Sequence, residues 1–125
     1  EAEIQVGAFF ILCYPGDTDD SVLETLHFST LLPLDYLGLS MPYPLPGTDL
    51  YKRTGERINR SWHPDESPFG SHVLIYKGDF SATKMWFAIL KGHAQFEIRK
   101  RMGKLAPGLL PIFEKVSDAV FRLLK

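Results

Sequence analysis

The residues of this chain most able to do chemistry fall in two places. His63, Asp65, Glu66 and His72 lie within ten positions of one another. Carboxylates and imidazoles so placed can act as general acid and base, because burial and neighbouring charge tune both toward neutral pH. The same four residues would ligate a metal only if the intervening Pro64 and Pro68 folded the loop back on itself, and their spacing matches no zinc pattern, so no metal or cofactor is expected. Cys13 and His27 with a nearby acid would make an activated thiolate if the three met, but nothing in their spacing brings them together. A buried, reduced thiol is the expectation for Cys13, since it sits inside the apolar run Val6–Tyr14. There is no phosphate-cradling glycine loop followed by lysine, no dinucleotide fingerprint and no HExxH helix. Enzymatic activity is therefore uncertain, and a non-catalytic role is favoured.

Charge gives the stronger signal. Residues 1–51 carry eight acids and no Lys or Arg, a formal −8; residues 52–125 carry fourteen Lys and Arg and seven acids, a formal +7. Such a split suits an anionic partner, RNA or a lipid surface, or self-association of unlike halves. It equally suits two halves of one domain neutralising each other. The densest basic cluster is Arg99, Lys100, Arg101 and Lys104, which would attract phosphates in a salt-dependent way. Lys52, Arg53, Arg57 and Arg60 form a second group, with residues 53, 57 and 60 on one face if that segment is helical.

Three elements would position these groups. Val73–Tyr76, Met85–Leu90 and Ala94–Ile98 are rich in β-branched and aromatic residues, and read as consecutive antiparallel strands with a turn at Gly92 and His93. Ile4–Tyr14 reads as a further strand, stopped by Pro15 and Gly16. Asp19 or Asp20 would cap a short helix through Leu23 and Leu26, although an edge strand fits this stretch almost as well. At the C-terminus Pro111 suits a first helical turn, and Ile112, Phe113, Val116, Val120, Leu123 and Leu124 recur at helical spacing. The expected fold is α+β: one domain over 1–125, a small antiparallel sheet with the C-terminal amphipathic helix packed on one face.

Between Pro33 and Pro68 stand six of the nine prolines, so this interval is expected to be largely irregular. Tyr43 and Leu45 in MPYPLP, with Trp62 further on, are candidate contacts to a protein partner, although a loop packing Tyr43 and Leu45 onto their own domain is the favoured reading. For Trp86, core packing is expected, and for His93 an exposed turn.

The leading functional expectation is an interaction or assembly protein with a basic face for RNA or anionic membrane. Alternatives are a small enzyme or ligand-binding domain using residues 63–72, and a secreted effector that binds a host protein, for which the acceptor pattern Asn59, Arg60, Ser61 would be in keeping. In its mix of charged surface and proline-rich loops the chain is similar to several viral assembly and small host-interacting proteins, a likeness of composition that assigns no residue a role. A lone cysteine favours a reducing compartment weakly. Because the chain begins at Glu1 rather than Met, the lack of a leader places it nowhere.

Overall fold

A computed structural model describes residues 3–57 and 77–125. The chain runs β1 (Gly7–Ile11), α1 (Asp19–Leu31), β2 (Tyr36–Ser40), α2 (Asp49–Thr54) with one 3-10 turn (Gly55–Arg57), α3 (Ala82–Met102) and α4 (Leu109–Leu123). Strands β1 and β2 pair in parallel, Gly7 with Tyr36 through Ile11 with Ser40, and α1 makes the crossover between them. The expected antiparallel sheet is thus corrected to a small two-stranded parallel one, with four α-helices among the described residues.

The largest departure is at residues 85–98. Met85–Leu90 and Ala94–Ile98 belong to the single 21-residue helix α3, and the supposed turn at Gly92 and His93 lies in its middle; Val73–Tyr76 lies outside the described residues. Ser81 starts this helix by accepting from the Lys84 N–H. Its buried residues, Lys84 and Met85, Ala88, Lys91 and Gly92, and Gln95 and Phe96, recur every three or four positions, the helical period. Trp86 and Leu90 fall on the exposed side, so apolar residues occur all along the stretch and imitate strand composition.

Helix α1 resolves the ambiguity at 19–32 in favour of a helix. Its cap is Thr18 rather than Asp19 or Asp20: the Thr18 hydroxyl accepts from the Ser21 N–H, and the Ser21 hydroxyl accepts from the Thr18 N–H. Val22, Leu23 and Leu26 turn inward onto Leu12, Cys13, Met85, Ala88 and Phe121. The strand expected over Ile4–Tyr14 is shorter, Gly7–Ile11, and only one of its faces is covered. Ala8 and Phe10 face inward with Leu37 and Leu39, while Phe9, 77 % exposed, lies across Gly38 and against Tyr36 on the open face. A β-carbon at Gly38 would stand 2.2 Å from the Phe9 ring.

Over its described part, residues 33–57, the proline-rich interval is less irregular than expected. Pro33 and Pro42 bracket β2 without interrupting it, and Thr48 caps α2 by accepting from Tyr51 N–H.

Helix α4 is where the C-terminal helix was expected, with Pro111 in its first turn, but it does not cover the sheet. It packs on α3 and α1 through Ser117 and Phe121. Most of the expected core stripe faces outward instead: Ile112, Val116, Val120 and Leu123 are exposed.

Candidate functional site

The end of α3 and the turn into α4 gather Arg99, Lys100, Arg101 and Lys104 around a cleft of about 560 Å³. Its apolar floor includes Pro33, Leu34, Phe96 and Leu110. Two of the cations also hold the fold. Arg99 donates to the Leu32 carbonyl at the end of α1, and Lys100 Nζ donates to the Asp35 carbonyl at 2.6 Å. Carbonyls leave the positive charge in place, so both groups still contribute to the local field. Among the described residues Arg101 alone of these four faces a carboxylate, Glu97 one turn back.

The described members of the second basic group, Lys52, Arg53 and Arg57, are not among the residues lining this corner. Lys52 pairs with Asp49 at 3.4 Å, and Arg57 with Asp79 at 2.8 Å just ahead of α3. Arg53 is exposed on α2. Along α3 the rise from Ala82, three residues after Asp79, to Arg99 is about 25 Å at 1.5 Å per residue. Arg60, Trp62, His63, Asp65, Glu66 and His72 lie outside the described residues.

A second cleft, also about 560 Å³, opens at the carboxyl ends of β1 and β2. Ile11 and Tyr14 follow from β1, Leu39 to Tyr43 from β2, Leu50 comes from α2, and Trp86 and Ile89 come from the first turns of α3. Parallel strands joined by a helix place their loops together at this end, and ligands of open α/β sheets bind there. Tyr43 is therefore a lining residue of its own domain, half-buried, while Leu45 is exposed on the loop beyond. Trp86 is not a core residue: it stands 48 % exposed in the cleft wall. Parallel strand pairing was the signal that would have found this cleft, and it depends on contacts 29 residues apart in sequence, Gly7 with Tyr36.

Thiolate chemistry is not set up at Cys13. Cys13 is buried at the end of β1, and burial, then the negative charges of Asp17 and Asp19, push its thiol up to about 12 against the attraction of Lys84. His27 is engaged with Asp118 at 3.1 Å, but no hydrogen bond joins it to Cys13, which is buried, so the triad imagined for Cys13 and His27 does not form. Among the described residues no group of three or more His, Cys, Asp or Glu could hold a metal ion.

Between the helices lies a polar network. Lys91, with its side chain wholly buried, donates to Asp118 at 2.9 Å and to the Gln95 side-chain carbonyl at 2.7 Å. Gln95 in turn donates to the Leu26 carbonyl, and Asp118 also meets His27. This ties α1, α3 and α4 together with buried charge. Comparison with known proteins returns no matching family, no matching curated protein and no matching solved structure.

Proposed function

We propose that this domain is a non-catalytic binding module whose cleft at the carboxyl ends of β1 and β2 takes a largely apolar, planar small molecule. The observation that carries this reading is the cleft itself: a concave space of about 560 Å³, walled by Trp86, Tyr14, Tyr43, Ile11 and Leu39, at the end of the sheet where loops from both strands converge. Volume and lining fall within the usual range of small-molecule sites, which are mostly apolar with a few polar groups to orient the ligand. Here Ser40 and the two tyrosines supply those polar groups. Among the described residues the lining holds no Lys, His, Cys or carboxylate, and its apolar character supports binding.

Trp86 makes the test direct. In a Trp62→Phe background, titration with the neutral fluorophore N-phenyl-1-naphthylamine should quench Trp86 with saturable one-to-one binding. Ile11 is half exposed at the cleft edge, so Ile11→Lys should leave the fold intact while placing a charge against the ligand. A fall of about tenfold in affinity, ~1.4 kcal/mol, is expected. Unsaturable quenching, or binding that Ile11→Lys does not change, would overturn the reading.

A further inference from the structure

Helix α4 leaves one side unused. Leu109, Ile112, Val116, Ala119 and Leu123 are spaced three and four apart and all lie exposed on the side away from α3. Ile112 is 64 % exposed and Leu123 81 %; Leu105, in the turn before the helix, is 84 % exposed. Lys115 and Arg122 border this stripe, Arg122 also reaching Asp20 at 2.6 Å, and Lys104 and Arg101 stand at its beginning. Both carboxylates of α4 are turned inward: Asp118 meets Lys91 and His27, and Glu114 is half-buried in line with Ser117 and Phe121. Among the described residues the outer surface of α4 and its leading turn therefore presents apolar groups and cations, and the acids that reach it are Asp20, paired with Arg122, and Glu97, paired with Arg101.

We infer that this surface docks on an anionic membrane, with α4 lying in the plane of the headgroups. An interfacial helix needs an apolar stripe of this kind, flanked by lysine and arginine on its polar border. Its cations gain from the negative potential of anionic lipid, and the cleft among Arg99, Lys100 and Lys104 is placed to seat a headgroup phosphate. Among the described residues no helix is long and apolar enough to cross the bilayer, so the attachment is peripheral. Charge also separates this occupant from the others. An RNA would use the basic corner and gain nothing from Ile112, Val116 and Leu123. A second copy packing its stripe antiparallel about the middle of α4 would bring Lys115 close to its own counterpart, a repulsive contact.

The test is co-sedimentation of the chain with vesicles of about one-third phosphatidylserine in phosphatidylcholine, against pure phosphatidylcholine vesicles and a matched single-stranded RNA. Binding to the anionic vesicles that weakens with salt, and little binding to the other two, is expected. Lys104→Gln and Arg101→Gln should each reduce vesicle affinity about fivefold. Ile112→Ser with Val116→Ser should reduce it at least tenfold, although these side chains are exposed and thermal unfolding should barely move. The inference is overturned if anionic vesicles are not bound, if the serine variant binds as well as the parent, or if RNA is bound as tightly. It is overturned as well if sedimentation shows a dimer that the serine variant dissolves while vesicle binding stays absent. None of these outcomes bears on the strand-end cleft, whose lining residues are untouched.

Discussion

Cys13 adopts a left-handed backbone conformation, φ 60°, where β1 passes into the turn before α1. A non-glycine residue there costs about 1 kcal/mol, offset by complete burial of the side chain against Leu12, Val22 and Phe121. That burial makes the residue a probe of stability at high pH. Folded, the thiol titrates at about 12; unfolded, at the ordinary 9.0. The unfolded chain therefore releases its proton first, and the thiol's share of stability, whole below the unfolded value, is lost as pH rises from 9 toward 12. Denaturant unfolding should show this loss reaching about 1.4 kcal/mol between about pH 8 and about pH 10. Lysines and tyrosines titrate in the same window, so the measure is the difference from Cys13→Ala, which should lack this component. Equal slopes for the two proteins would refute the assignment. A buried, unreactive thiol was legible from the apolar residues around position 13; its backbone strain was not, because nothing in Leu-Cys-Tyr-Pro calls for positive φ.

At the scale of elements, α3 shows why composition misleads. Gly92 in a helix interior loses about 1 kcal/mol relative to alanine, which is why it reads as a turn. Here the glycine lets α3 approach the sheet and α1: a β-carbon would stand 2.3 Å from Leu39 Cδ1 and 2.7 Å from Leu26 Cδ2. Leu26 is fully buried and has nowhere to retreat. Gly92→Ala therefore sets a helix-propensity gain of about 1 kcal/mol against an overpacking cost of roughly 1–3 kcal/mol. A net loss of about 1 kcal/mol is expected in denaturant unfolding, and a stabilised variant would show that the contact yields. Helix α4, by contrast, was legible as a helix because its period is strong and Pro111 sits in the first turn. Which of its two sides meets the core was not legible, since Phe121 and Ser117 win over Ile112 and Val116 only through what α3 and α1 present to them. The basic corner was legible as a cluster, while the strand-end cleft required knowing that β1 and β2 run parallel.

For the whole molecule, the division of charge along the sequence is partly resolved within the fold. Lys84 reaches back to Asp19 at 2.8 Å and lies 4.9 Å from the centre of the Phe121 ring; Arg122 reaches Asp20; Lys100 and Arg99 close the end of α1. The basic half thus holds the acidic half by contacts from α3 and α4, leaving an excess of cations at the corner. The deepest of the ionic ties, Lys91 with Asp118, joins α3 to α4 and, through His27, to α1. A buried pair contributes little over an apolar pair of the same shape, but a single buried charge is costly. Lys91→Met or Asp118→Leu alone should therefore destabilise the domain by about 3–5 kcal/mol. Made together, they remove both charges and leave only the Gln95 carbonyl short of its donor, about 1–3 kcal/mol. The double variant should be more stable than either single one in chemical unfolding, with His27 free to turn to water because it is half exposed. If the double loss equalled the sum of the singles, the two groups would be acting independently and the three helices would be held by their apolar contacts instead.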